Sequence, residues 1–381
     1  MKYTLSYWEK EFSQLERDII ILGGGIVGLQ TAVELKRQAP ALHILLLDKG
    51  QGKFGASTKN AGFACFGSPT ELLADIDSVG VSACMETVAR RWQGLQKLKE
   101  SVPLSYIDFQ PHGGYEVFLS QESQVYQKVR ENLSFLNQEI QQATGLEDSF
   151  QLADNRLEEM GFQGISHLLF NPYEGQLNPA KLCHALRRKA EEAGVSIWNG
   201  IHIADIQAEV GRVTLTDIAG YTYRAKKVVV ATNGFTSSLF PAADLHAVRN
   251  QVLITDEIQG LPFQGCFHYH EGYVYFRNVG KRVLIGGGRH IDKQGEETSD
   301  FGEHPGILAY LTHLLETTIL GGTPYTIHHS WSGILGMGKE KMPLLSFVHP
   351  NVLLAVRLGG MGVALGWEVG SKAATQVLER L

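Results

Sequence analysis

Three glycines and one carboxylate carry the first chemistry legible in the chain. In the run Asp18-Ile-Ile-Ile-Leu-Gly-Gly-Gly-Ile-Val-Gly-Leu-Gln, an apolar stretch ends at glycines and a helical pattern follows, which reads as strand, tight turn and helix. Gly23 permits the turn and Gly25 lets backbone N–H groups approach a pyrophosphate. Gly28 lets the helix pack close to the strand, so that a phosphate would sit on the helix N-terminus at Ile26 and Val27. A second strand over 42–47 leads into Asp48 and Lys49, with Asp48 twenty residues beyond Gly28. An acidic side chain at that place accepts the ribose hydroxyls of an adenosine. A glycine turn in another α/β fold would look alike over a few residues, but the helix to position 38 and the placed carboxylate favour a dinucleotide site.

A second set of reactive side chains lies far downstream. In Gly272-Tyr-Val-Tyr-Phe-Arg-Asn, a period of two puts Tyr273, Tyr275 and Arg277 on one face of a strand and Val274 and Phe276 on the other. The aliphatic face meets a core, and the phenol and guanidinium face either lines a pocket or meets solvent. Trp331 joins Tyr275 and Arg277 as a pocket candidate. His268 and His270 share a strand face but show no carboxylate partner in the sequence, so they read as structural and no metal ligand is assigned. The four cysteines, Cys65, Cys84, Cys183 and Cys266, form no CxxC pair and read as reduced thiols, neither a disulfide framework nor a zinc site.

The elements that must position these residues follow from length and pattern. A chain of 381 residues is too long for one simple core, which predicts two intertwined domains. A net charge of −6 with 19% charged residues argues against a nucleic-acid partner. No apolar run reaches membrane-spanning length and the start lacks a signal-peptide core, so an integral membrane segment is not expected and a cytoplasmic location is. Residues 1–17 read as a docked arm of unknown purpose. The segment 49–67 is rich in glycine and small residues, fit for close wrapping around a ligand. Ser68-Pro69-Thr70-Glu71 reads as a capping box, and 104–109 with 115–119 as a hairpin turning at 111–114. Helices are expected from 125 to Gly145, from Asn178-Pro179 to Gly194, and over 305–319. Antiparallel strands fill 248–287, and a strand at 352–356 runs into Gly359-Gly-Met-Gly and a final helix, repeating the logic of the first turn.

At this point the residues resemble a known family over nearly the whole chain: the FAD-dependent oxidoreductases of the D-amino-acid oxidase, glycine oxidase and sarcosine oxidase superfamily. Besides the first glycine motif and Asp48, the similar pieces are Gly55-Ala-Ser-Thr-Lys-Asn-Ala-Gly, Gly175-Gln-Leu-Asn-Pro, Val228-Val-Val-Ala-Thr-Asn-Gly, Val248-Arg-Asn-Gln-Val, Trp331-Ser-Gly-Ile-Leu-Gly and Gly359-Gly-Met-Gly. The Trp331 motif and the Tyr-Val-Tyr-Phe-Arg strand are most similar to the branch that includes γ-glutamylputrescine oxidase. The resemblance implies an α/β fold, with a Rossmann-type FAD-binding domain and a discontinuous substrate domain on an antiparallel sheet. FAD-binding parts are expected at 1–83, 163–238 and 327–381, and substrate-domain parts at 84–162 and 239–326.

It further implies the ADP half of FAD on Gly23, Gly25, Ile26, Val27, Gly28, Asp48 and Lys49, and the loop Ser57, Thr58, Lys59, Asn60, Ala61 and Gly62 under the isoalloxazine. Ile203 would meet the adenine through its backbone, and Ala231, Thr232 and Asn233 would line the cleft. Gly359, Gly360, Met361 and Gly362 would place N–H groups by the flavin N1 and O2 edge, where preorganised donors stabilise the anionic reduced ring. The implied activity is oxidation of a small amine or amino acid at its C–N bond by hydride transfer to flavin N5, with an imine that hydrolyses and with oxygen or another electron acceptor as partner. A 2-hydroxy-acid dehydrogenase and a noncatalytic flavin-binding redox protein share the fold and stay open; a nicotinamide dehydrogenase leaves the second glycine turn unexplained. Two departures stand out. Amino-acid-oxidising members carry an arginine where Leu335 stands, and sarcosine-oxidase-type members carry a lysine where Leu284 stands. No cysteine follows Cys266, so noncovalent FAD is expected.

Overall fold

A computed structural model of the chain describes residues 6–50 and 55–381. The part of the glycine-rich segment at 51–54 and the first five residues of the expected arm lie outside the described residues. Two compact units emerge: Met1–Lys59 with Pro179–Val248 and Ile334–Leu381, and Asn60–Asn178 with Arg249–Gly333. The divisions at 59, 178, 248 and 333 differ from those expected at 83, 162, 238 and 326. A break at 83 would cut the helix Val81–Ser101, and one at 162 would detach the strand Ile165–Asn171 from its partner Gly114–Leu119.

The first unit is built on a mixed sheet whose strands run in the order Leu344–His349, Val352–Val356, Thr222–Val230, Arg17–Leu22, Ile44–Asp48 and Ser196–Asn199, with the meander Ile203–Glu209 and Arg212–Asp217 attached. The central pairings are parallel, and their strands read as near-continuous Val, Ile and Leu because both faces are covered. Ile19, Ile20 and Ile21 have no exposed surface. Against this sheet lie the helices Ile26–Gln38 and Gly362–Leu378, which approach closely. A methyl group at Gly366 would lie 2.5 Å from Ile26 Cγ2, and one at Gly370 would lie 2.8 Å from Gln30 Cβ. The arm contributes a helix, Tyr7–Gln14, with Ser6 and Glu9 forming a capping box, and it packs on Thr222–Val230.

The second unit carries an eight-stranded sheet in the order Ile327–Met337, His246–Thr255, Arg282–Gly287, Val274–Val279, Cys266–Tyr269, Gly114–Leu119, Ile165–Asn171 and Gln151–Leu152. From His246–Thr255 to Gln151–Leu152 the strands pair antiparallel, except Cys266–Tyr269 with Gly114–Leu119, which run parallel. Val274, Phe276, Val283 and Ile285 point into one core with the helix Pro305–Leu314. The helix continues as a π-turn over Leu315–Ile319.

Two local expectations fail. Leu104–Ile107 is a short 3-10 turn ending at Asp108 with φ +49°, and Gly114–Leu119 takes its partners from distant strands, so no hairpin forms. Ser68 does sit at a helix N-terminus before Pro69, but its hydroxyl donates to Glu116 at 2.9 Å and Glu71 pairs with Arg91 at 3.2 Å. Buried tertiary partners outcompete the local capping box there.

The tightest point of the first unit is the opening turn. A methyl group at Gly28 would lie 1.9 Å from the Gly23 carbonyl oxygen and 3.3 Å from Ile21 Cγ2. Because the obstacle is backbone, it cannot rotate away. Gly28→Ala is therefore expected to lower stability by about 3 kcal/mol or more, beyond ordinary overpacking, and thermal denaturation of the variant against wild type checks it.

Candidate active site

In the first unit the register of the parallel strands aligns their carboxyl ends. Leu22 pairs with Leu47 and with Val230, and Val230 pairs with Leu354. Each strand therefore ends at the same edge, and the residues that follow collect there: Gly23 to Gly25, Asp48, Ala231 to Asn233, and Arg357 to Met361. Ligands of open α/β sheets bind at such carboxyl ends, where the strand order reverses about the first strand.

The glycine turn is held by its neighbours. Gly23 has φ +104°, donates its N–H to Leu47 at 2.8 Å, and sits so close to Ala231 that a methyl group would lie 2.6 Å from that carbonyl oxygen. Gly25 is the helix N-cap and brings no side chain to the end of Ile26–Gln38; the Ile26 N–H donates to Ser57 Oγ at 3.0 Å. Asp48 accepts from the Gly24 N–H at 2.6 Å and from the Gly50 N–H at 2.8 Å, one on each oxygen. Those bonds fix the carboxylate and leave further lone pairs for hydroxyl donors. Lys49 lies over the Phe235 ring at 5.3 Å. Ile203 is buried at the start of its strand, and Thr232 bonds Thr236 through the two hydroxyls at 2.7 Å.

Asn233 has φ +46° and its side-chain oxygen accepts the Arg357 N–H at 3.2 Å. Arg357, with φ +64°, is buried and bound to Asp244 and to the Met342 carbonyl, which pins the strand end just before Gly359. Gly359 and Gly360 take positive φ values that side chains disfavour. Gly362 needs no such conformation, and a methyl group placed there would meet nothing within 4 Å. The helix Gly362–Leu378 therefore opens on free space with no side-chain cap, as a helix terminus built for an anionic group does.

The second unit gathers the other candidates. Ala61, Val252 and Leu284 form a small apolar cluster with Phe63, Tyr275 and Trp331 packed on it. Thr58 and Lys59 belong to the short helix Ala56–Lys59 at the end of a segment of the first unit, while Asn60 accepts the Gly62 N–H at 2.8 Å and forms the turn into the cluster. Tyr275 accepts a hydrogen bond from Asn250 at 2.9 Å, and burial pushes its phenol up, so it stays protonated. Arg277 is 7% exposed. Its Nη2 donates to the Leu177 carbonyl at 3.1 Å, its Nε has no partner, and burial lowers its pKa. Among the described residues it forms no ion pair.

Tyr273 departs from this group. It lies with Arg289, Lys293 and His290 at the end of the hairpin. His270 leaves the strand altogether, with φ +53° beyond Tyr269, so it does not share a strand face with His268. His268 does have a carboxylate beside it, Glu174 at 3.6 Å, which the sequence hid because the two stand 94 positions apart. All four cysteines are free and buried, and Cys266 is engaged with the Gly175 carbonyl at 3.2 Å. No helix among the described residues is long and apolar enough to cross a membrane.

Strand ends, glycine turn and bare helix termini on one edge of a parallel sheet define a dinucleotide-binding protein. The family model described as FAD dependent oxidoreductase (DAO) matches residues 18–376, and the chain belongs to that family. It is 26% identical over 361 residues to the probable oxidoreductase OrdL of Rhizobium meliloti (strain 1021), covering 91% of this chain and 80% of that one. Glycine oxidase of Bacillus licheniformis is 24% identical over 375 residues, covering 95% and 93%. The chain spans about half the length of the bifunctional ThiO/ThiG protein of Synechocystis sp. that it also matches (49%). The crystal structure of L-proline dehydrogenase from P. horikoshii shares the fold, with TM-score 0.75, 16% identity and coverage of 96% and 94%.

The protein is an FAD-dependent oxidoreductase, and the first unit fits the cofactor: a glycine turn without room for side chains, a fixed carboxylate, and a Gly362 whose bareness the chain itself does not require. Gly25→Val would collide with Ser57 Oγ, 2.7 Å from a Cβ, whatever is bound. Gly362→Val is the cleaner probe. It is expected to keep the melting temperature of the apoprotein while FAD dissociates during gel filtration, and a variant that purifies fully yellow would rule out a flavin contact at this helix terminus.

Proposed function

We propose that this enzyme oxidises the C–N bond of a small amine or amino acid that carries a carboxylate, and that Arg277 receives the carboxylate. The observation that carries the reading is the state of Arg277. A guanidinium removed from water costs several kcal/mol unless an anion and hydrogen bonds compensate, and among the described residues one backbone carbonyl is its only bonded acceptor. A substrate carboxylate supplies the missing charge and matches the guanidinium fork. Leu335 stands where the resemblance would place a carboxylate-binding arginine, so the carboxylate is taken from another wall and need not sit on the reacting carbon.

The remaining residues have separable tasks. Bound FAD supplies the two-electron sink at the strand ends of the first unit, held noncovalently by Gly23 to Gly28, Asp48 and the Gly359 to Gly362 turn. Tyr275 keeps its proton and holds an orienting hydrogen-bond network with Asn250. Ala61, Phe63, Leu284 and Trp331 exclude water around it. With no side chain assigned as the base, the substrate amine loses its proton to solvent before reaction, and kcat/KM should rise with pH through the substrate amine's own pKa.

Leu284 is the direct cross-strand partner of Arg277, so their side chains share a face. The cation that the Leu284 position lacks thus stands one strand away. The amine reading over the 2-hydroxy-acid reading is supported by the likeness to glycine oxidase of Bacillus licheniformis. The likeness of the Trp331 and Tyr-Val-Tyr-Phe-Arg motifs to the γ-glutamylputrescine oxidase branch extends it to amines with a remote carboxylate.

Arg277→Met is the deciding variant. For the best substrate of an anaerobic amine and amino-acid panel, kcat/KM should fall by a factor of about 30 or more, as loss of one partner of a buried charge pair costs roughly 2–5 kcal/mol. Arg277→Lys should recover only part of it. A substrate without any carboxylate that reduces the flavin fastest, indifferent to Arg277→Met, would refute the proposal, and release of a keto acid from a hydroxy acid without ammonia would favour the other chemistry.

A further inference from the structure

Beside Phe63 and Tyr275, the second unit buries three side chains that none of the roles above uses. Cys65 follows the Asn60–Gly62 turn, Glu174 precedes Gly175-Gln-Leu-Asn-Pro, and His268 lies on the strand Cys266–Tyr269 opposite Tyr275. Their exposures are 5%, 2% and 8%. One ligand-type atom from each, the Cys65 Sγ, a Glu174 carboxylate oxygen and a His268 ring nitrogen, all lie within 4.8 Å of one another.

The spacing is long for a hydrogen-bonded ion pair and suits a shared ion. A charge-assisted hydrogen bond in a dry interior closes to about 2.7–2.9 Å, yet His268 Nε2 stands 3.6 Å from Glu174 Oε2 and has no hydrogen-bond partner. Two nitrogen or oxygen ligands at about 2.0–2.2 Å from one tetrahedral zinc are separated by roughly 3.4 Å. Glu174 is held for this task. Its other oxygen accepts the Phe66 N–H at 3.0 Å. Oε2 faces Gly114, where a methyl group would lie 1.9 Å away, so the backbone there is shaped around that oxygen.

We infer that Cys65, Glu174 and His268 form a buried zinc site with three protein ligands and one position left for water. Thiolate and imidazole favour zinc over the hard cations, and a thiolate with a carboxylate balances the charge of a divalent ion, leaving the cluster neutral in the interior. The ion ties the stretch after the Asn60–Gly62 turn and the segment before Gly175 to the central strand. Its role is structural.

The test uses the FAD-loaded full chain expressed in zinc-supplemented medium. Elemental analysis by mass spectrometry after gel filtration is expected to find zinc at one per chain. A strong chelator should remove it and lower the melting temperature, and added zinc should restore both. Zinc-edge X-ray absorption should show one sulfur at about 2.3 Å among shorter nitrogen and oxygen neighbours. Cys65→Ser and His268→Gln should each reduce the zinc content to trace. Wild-type protein with only trace zinc and a melting temperature that zinc does not move would overturn the inference without relying on any variant's folding. Zinc retained in full by both variants would overturn it as well. None of these readouts depends on turnover, so their failure leaves the Arg277 proposal standing, and the converse also holds.

Discussion

The contact on which the nucleotide half depends is one between backbone atoms. The Gly23 carbonyl approaches Gly28 so closely that even a methyl group is excluded. Because that distance sets how near the helix Ile26–Gln38 lies to the strand Arg17–Leu22, it also sets where the helix's unpaired N–H groups point. The helix end serves an anion only if the turn before it stays bare, so packing and binding impose the same requirement on the same residues. Ser57, Asp48 and Ala231 then close on the turn from three sides. Little in that arrangement can be relaxed separately, since Asp48 and Ala231 are themselves fixed at strand ends.

The second unit faces the opposite problem. Its sheet puts one face of Val274–Val279 into an aromatic core of Phe263, Phe267 and Phe276 and turns the other toward Tyr275, Leu284 and Trp331. A cation retained on that second face, without an internal counter-charge, is a stability cost that a purely structural sheet would not keep. Unsatisfied buried groups concentrate where a ligand completes them. Arg277 and His268 lie on neighbouring strands, and each meets that description in a different way.

Much of the nucleotide half was legible in the sequence because its signals are local. The apolar run, the glycines at fixed offsets and the carboxylate after the second strand all lie within 31 residues, and the structure keeps each element within a residue or two. The alternation that buries Val274 and Phe276 was equally plain. Most of what failed depended on partners far along the chain. The stretch 104–109 has the composition of a strand but closes on itself as a 3-10 turn, with the Phe109 N–H donating to the Leu104 carbonyl. Ser68 and Glu71 have the spacing of a cap, but Glu116 and Arg91 take them. His268 looked unpartnered because Glu174 and Cys65, close to it in space, stand far from it along the chain.

The close fit between the helices Ile26–Gln38 and Gly362–Leu378 has a consequence for biosynthesis. The first of these has an apolar face suited to a helix that is not translated until more than three hundred residues later. The nucleotide half therefore cannot complete its packing vectorially. The segment Asn60–Asn178 emerges while the earlier strands still lack their parallel neighbours Thr222–Val230 and Val352–Val356. Those strands, among the most apolar in the chain, spend synthesis unsheltered, which makes the nascent polypeptide a natural client for chaperones.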